Sequence, residues 1–286
     1  MWAELRILQA SGVKVLGMLG GAARGSFTRL DGDEPQFERY YLPLREMVRT
    51  YGLDGLDLDV EEEMSLGGVI RLIDRLRVDF GPDFLITLAP VAAALLNPQN
   101  NLSGFDYEAL EVMRGKEISW YNAQFYCGWG DCSNTLMYEM ILMKGWPAEK
   151  VVIGLLTNPE NGPGWVPWNI LATVLPTIVG QHPRFGGVMG WEYFNSLPGG
   201  RERPWEWARV MTALLRGDRT VLEGIEQAAG QQVGAPSASS AAEQKQPEAL
   251  DPTAAEADPD DRHGQGPPLP SAFEYFSDGS GDDGDE

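Results

Sequence analysis

Six short apolar runs, each followed by a stretch of helical period, leave this chain few architectures. The runs at 14–21, 53–61, 84–91, 118–126, 151–157 and 187–194 read as buried strands. The stretches at 35–51, 66–80, 107–113, 134–144, 168–179 and 204–215 read as helices, and 1–10 adds one before the first strand. In 35–51, Phe37, Tyr40, Tyr41, Leu44 and Val48 recur at spacings near three and four, as one buried helix face requires. Strand-helix alternation predicts a parallel sheet with helices outside it. Two α/β architectures fit, a doubly wound open sheet and a (β/α)8 TIM barrel. The nearest approach to a dinucleotide fingerprint is Gly20-Gly21-Ala22-Ala23-Arg24-Gly25, whose glycines are wrongly spaced. A barrel needs eight strands, and six are found. The expectation is a TIM barrel over residues 1–217, apparently N-terminally truncated to its strands 3–8.

Beyond about residue 217 the pattern stops. Ala, Gln, Gly, Pro, Ser and acids dominate, a composition that cannot bury enough apolar surface to offset chain entropy. Residues 218–286 are expected to be a disordered acidic tail. The whole chain carries a formal charge of −20, and 13 of its 42 acids lie in the last 56 residues. Such a surface disfavours nucleic acid and anionic membranes as partners and says nothing against a neutral glycan. No apolar run has the length of a bilayer span, and no secretory signal opens the sequence. Read as it stands, the chain would stay in the cytoplasm. Cys127 and Cys132, five apart with no histidine near, leave a loop disulfide and two free thiols both open, and no metal or cofactor site is expected. A single sequon, Asn101-Leu102-Ser103, is of a kind that arises often by chance.

The chemistry concentrates in Leu53-Asp54-Gly55-Leu56-Asp57-Leu58-Asp59-Val60-Glu61. On a strand, alternate side chains share a face, so Asp57, Asp59 and Glu61 point one way and Leu56, Leu58 and Val60 the other. In a barrel the acids face the interior near the C-terminal mouth, where active sites lie. Like charges at that spacing repel, so some must hold protons at neutral pH, as general acid catalysis requires. A solvated strand end and a divalent-metal site are the alternatives, and the strict Leu/Val interleaving argues against the first.

Asp54-x-x-Asp57-x-Asp59-x-Glu61 resembles the DxxDxDxE signature of glycoside hydrolase family 18, the chitinases and their relatives. Gly17-Met18-Leu19-Gly20-Gly21 is similar to that family's third-strand glycine motif. Asn122-Ala123-Gln124-Phe125-Tyr126 is similar to its sixth strand, and Gly186-Gly187-Val188-Met189-Gly190-Trp191 to its eighth. Within the family, 21–27, 85–91 and 190–200 most resemble fungal endo-β-N-acetylglucosaminidases.

The resemblance implies hydrolysis of a β-1,4 bond next to N-acetylglucosamine, with retention and assistance from the substrate. Glu61 would be the acid, Asp59 would orient the acetamide, and Asp57 would share a proton with Asp59. Tyr126 would donate a hydrogen bond to the acetamide oxygen. Asp54, Asn122, Gln124, Trp165 and Trp191 would serve substrate binding, Trp191 by stacking under the sugar. Cys127 and Asn158 would stand at the cleft mouth. The implied substrate is an oligosaccharide or a glycoprotein N-glycan, acted on by a monomer that the family secretes. A chitinase is the first alternative, and an inactive or lectin-like partial barrel the second.

Overall fold

The computed structural model of the protein describes residues 2–218. Its helices are α1 (Trp2–Ala10), α2 (Phe27–Leu30), α3 (Glu34–Tyr51), α4 (Leu66–Phe80), α5 (Tyr107–Arg114), α6 (Leu136–Met143), α7 (Trp168–Gln181) and α8 (Glu206–Arg216). Its strands are β1 (Leu16–Gly20), β2 (Gly55–Asp59), β3 (Leu85–Leu88), β4 (Trp120–Gln124), β5 (Val151–Leu156) and β6 (Val188–Trp191). All six strands are parallel and pair in chain order. A doubly wound sheet would reverse its order partway, whereas this sheet runs like consecutive strands of a (β/α)8 barrel and curls into a half-barrel. Among the described residues, β1 and β6 do not pair with each other. The expected tail lies outside the described residues but for Asp218.

Every strand is shorter than the apolar run that predicts it. Val60, Val91 and Phe125 are buried, yet each lies past the end of its strand. Burial continues into the loops at the C-terminal ends of the strands, and hydropathy alone reads that burial as strand. One consequence is that Glu61 stands two residues beyond β2 rather than on it.

The core lies between sheet and helices. Leu56 and Leu58 of β2 are fully buried and meet the inner faces of α3 (Phe37, Tyr41, Leu44, Val48) and α4 (Val69, Leu72, Ile73, Leu76). Local signals bound these two helices. Asp33 caps α3 by accepting from the Gln36 N–H, Pro35 follows at the first turn, and Gly52 ends it with φ of 51°. Ser65 caps α4 through the Gly68 N–H at 2.9 Å, and its own hydroxyl donates to Asp31 at 2.5 Å. No described helix is long and apolar enough to cross a membrane. The sequon is woven into the fold: the Asn101 amide donates to the carbonyls of Pro98 and Phe105, and the buried Ser103 hydroxyl donates to the Val60 carbonyl at 2.6 Å.

Candidate active site

The alternation of β2 sets the site. With Leu56 and Leu58 committed to the helix layer, Asp57 and Asp59 face the concave side of the sheet. Asp57 pairs in register with Thr87 of β3, whose hydroxyl donates to Asp57 Oδ1 at 2.5 Å. The Asn122 amide of β4 donates to the same oxygen at 3.1 Å. The Trp120 indole N–H donates to Asn122 Oδ1 at 3.0 Å, which turns the NH2 group toward Asp57. One layer higher, buried Gln124 Nε2 lies 3.2 Å from both Asp59 Oδ1 and Glu61 Oε1, and donates to the Ala89 carbonyl at 2.9 Å. A single amide thus spans the two acids at the mouth. On the other side β1 comes very close. The Gly21 N–H donates to the Asp59 carbonyl at 2.8 Å, and a Cβ on Gly20 would sit 2.2 Å from that oxygen. Gly20 has φ of 100°, so glycine is required both for space and for conformation.

Burial without a cation governs the electrostatics. Asp57 is pushed up by burial, against the pull of Thr87 and Asn122. Asp59 is raised to about 7, by burial first and then by the charges of Glu61 and Asp57. The Tyr126 phenol is also pushed up, by burial and then by Asp59 and Glu61, so it keeps its proton and can only be a donor or neutral acceptor near neutral pH. Burial and the charge of Glu61 raise the Cys127 thiol. Tyr126 therefore feels both Asp59 and Glu61, and Cys127 feels Glu61. A cleft of about 650 Å³ opens beside Glu61, walled by Arg24, Gly25, Thr28 and Arg29 on one side and by Glu61, Glu62, Glu63 and Leu102 on the other. A hollow of about 760 Å³ between α4 and α5 is remote from these acids, and most of its charges are engaged in the Arg114–Asp74, Arg77–Glu117 and Lys150–Glu111 pairs.

The remaining residues divide. Trp191 ends β6, followed by a cis peptide to Glu192, and its carbonyl accepts from the Thr157 N–H at 2.9 Å and from the Asn161 amide at 3.1 Å. Trp165 is half-buried in the loop after β5, just past Gly164, which packs against the Tyr126 and Cys127 backbone. Asn158 is buried and engaged, donating to the Asn195 carbonyl and capping the turn at Glu160. Both cysteines are free. Cys132 sits in the core, where burial raises its thiol to about 12, and Cys127 sits near the acids with a left-handed φ of 54°. Among the described residues, no group of three or more His, Cys, Asp and Glu is disposed to hold a metal ion.

Asp54 needs correction as a substrate contact. It precedes β2, at the end of the strand opposite the mouth. There it accepts from the Val15 N–H at 2.9 Å, the Gln9 amide at 2.7 Å and Lys14 at 3.4 Å. Five residues of extended chain hold it roughly 17 Å from Asp59. Asp57 accepts from Thr87 and Asn122 and Asp59 from Gln124, each on Oδ1, and both carboxyls are pushed up. Thr87 and Glu62 were missed. Thr87 had a signal, being the lone polar residue in Leu85-Ile86-Thr87-Leu88. Glu62 had none beyond its place after Glu61, because its partners lie 34 to 37 residues away.

No protein-family model matches the chain. Chitinase 2 of Rhizopus oligosporus is 30% identical over 210 residues, 66% of this chain and 36% of that protein, so the chain spans about a third of that relative. A chitinase, ChiC, from Aspergillus fumigatus superposes with a TM-score of 0.68 at 63% identity, over 74% of this chain and 76% of that one. A fungal endo-β-N-acetylglucosaminidase from glycosyl hydrolase family 18 superposes with a TM-score of 0.73 at 52% identity, over 76% and 77%. Identity above one half, sustained over about three quarters of both chains, makes this protein a member of glycosyl hydrolase family 18.

Proposed function

We propose that the protein hydrolyses the β-1,4 bond next to N-acetylglucosamine by substrate-assisted, retaining catalysis, and that its substrate is the core of an N-glycan. One observation carries the reading: Gln124 Nε2 stands 3.2 Å from the carboxylates of both Asp59 and Glu61 at the cleft mouth. Glu61, beside the cleft, protonates the leaving oxygen. The substrate's acetamide carbonyl attacks the anomeric carbon, so no second carboxylate is needed as nucleophile. Asp59 holds the acetamide N–H and balances the positive charge of the cyclic intermediate. Gln124 keeps Asp59 and Glu61 from turning apart. Tyr126, which stays protonated, donates to the acetamide oxygen. Trp191 offers its ring to the sugar at the end of β6.

Chitin is the second reading, favoured by the 63% identity to the Aspergillus chitinase. Purified protein and its Glu61→Gln variant separate the two readings, assayed for glycan released from a high-mannose glycoprotein and for oligomers released from chitin. Glycan release that falls about 10²–10⁴-fold in the variant is the expected outcome. Oligomers from chitin alone would transfer the assignment to a chitinase. A folded wild type silent on both substrates would overturn the enzymatic reading.

A further inference from the structure

Glu62 is a buried carboxylate that the chemistry above does not use. It follows Glu61 but points the other way, toward the end of the β1–α2 loop and the first turn of α2. Its Oε1 accepts from the Phe27 N–H at 2.6 Å. Its Oε2 accepts from the Gly25 N–H at 2.7 Å and the Thr28 hydroxyl at 2.8 Å. Burial pushes the carboxyl up, but these donors outweigh it and hold it below the usual range, so it is ionised at working pH. Ser26, which precedes α2, makes no capping bond with its side chain, so the carboxylate of Glu62 serves the first turn instead.

What Glu62 holds is the cleft wall. Arg24, Gly25, Thr28 and Arg29 form one side of the space beside Glu61, and Glu61 to Glu63 form the other. The segment carrying Glu61 is pinned from both flanks. The Ser103 hydroxyl donates to the Val60 carbonyl at 2.6 Å, and the Met64 N–H donates to the Ser103 carbonyl at 2.9 Å. Glu62 adds the tie to the facing loop. A carboxylate accepting three hydrogen bonds from residues 25–28 fixes that segment more firmly than a neutral acceptor of its size.

We propose that Glu62 is a positioning residue: it locks the 24–29 loop against the segment bearing Glu61 and so sets the width of the cleft that receives the sugar. The proposal rests on the hydrolase reading for its catalytic consequence, but the locking itself does not. An amide at this position would present an NH2 group to donors that need an acceptor. An aspartate would keep the charge on a shorter stem.

Four measurements on wild type, Glu62→Gln, Glu62→Asp and Thr28→Val decide it: trypsin cleavage after the exposed Arg24, thermal midpoint, binding of a tetramer of N-acetylglucosamine read by tryptophan fluorescence, and hydrolysis kinetics. In Glu62→Gln, cleavage after Arg24 is expected to accelerate at least 10-fold. KM and the tetramer Kd should rise at least 10-fold, with kcat changed less than 3-fold. Glu62→Asp should recover most of the binding, and Thr28→Val should fall between it and wild type. Unchanged cleavage and unchanged binding in Glu62→Gln would overturn the proposal. So would equal losses in Glu62→Gln and Glu62→Asp accompanied by a collapse of the thermal midpoint, which would make Glu62 a stability residue only. Should wild type neither bind nor hydrolyse, the hydrolase reading falls and takes the catalytic role of Glu62 with it, while the cleavage series still decides whether Glu62 locks the loop.

Discussion

Asp59 shows how a residue's surroundings decide what it can do. Its neighbours on the concave face are other acids, a glutamine and a glycine backbone, with no cation within its hydrogen-bonding shell. Burial and the charges of Glu61 and Asp57 therefore lift it to about 7, from an ordinary carboxyl near 3.8. An acid raised in this way binds its proton more tightly in the folded state. The stability it contributes is present below about pH 4 and is lost as pH rises to about 7. Asp59→Asn removes that loss. The variant's stability advantage should be small at pH 4, grow towards pH 7 and then level off, reaching as much as about 4 kcal/mol at 1.36 kcal/mol per unit. Urea unfolding of both proteins at several pH values measures it, and an advantage independent of pH would show that Asp59 is not raised. The same substitution should abolish hydrolysis under the proposed mechanism, so stability and activity would move in opposite directions.

At the scale of elements, Asp54 ties the first helix to the sheet. Its carboxylate gathers the Gln9 amide of α1, the Val15 N–H before β1 and the Lys14 ammonium. Gln9 and Arg6 add bonds to the carbonyls of Gly52 and Tyr51, and Trp2 stacks on Tyr51 with ring centroids 4.0 Å apart. α1 has no buried residue, so these contacts rather than a core face hold it in place. Asp54→Ala should cost about 1–2 kcal/mol, the value of a partly exposed charge-assisted cluster whose donors lose their acceptor. Any hydrolysis measured should keep its kcat and KM, since the residue lies at the far end of β2. A kinetic defect without a stability loss would return Asp54 to the site. Sequence could not separate these roles. Asp54 belongs to the same acidic run as Glu61, and only the length of the strand between them sends the two to opposite ends.

At the scale of the whole molecule, the sheet has an order of stability that its pairing dictates. β2, β3, β4 and β5 are paired on both sides, while β1 and β6 each pair on one side among the described residues. Every residue of β5 is buried, whereas every residue of β6 is partly exposed, as is all of β1, and Met18 of β1 is more than half exposed. Amide hydrogen exchange should therefore find β1 and β6 opening first, with β3 to β5 protected up to the global unfolding limit. Equal protection in β1 and β4 would show that the free edge of β1 is covered in solution. Since Gly20 and Gly21 of β1 lie against Asp59, one of the two least protected strands also borders the candidate site.

Hydropathic period was enough to specify six parallel strands with helices between them, because a strand buried on one face and a helix buried on one stripe must repeat their apolar residues at two and 3.6. The acid ladder was legible for the same reason: alternation alone puts Asp57 and Asp59 opposite Leu56 and Leu58. What period cannot carry is anything that depends on residues distant in the chain. The bridging of Asp59 and Glu61 by Gln124 spans more than sixty positions, and the Glu62 anchor more than thirty. The rise of Asp59 to about 7 depends on how completely surrounding elements exclude water and on the absence of a cation there. Those are properties of packing in three dimensions, and only the tertiary structure fixes them.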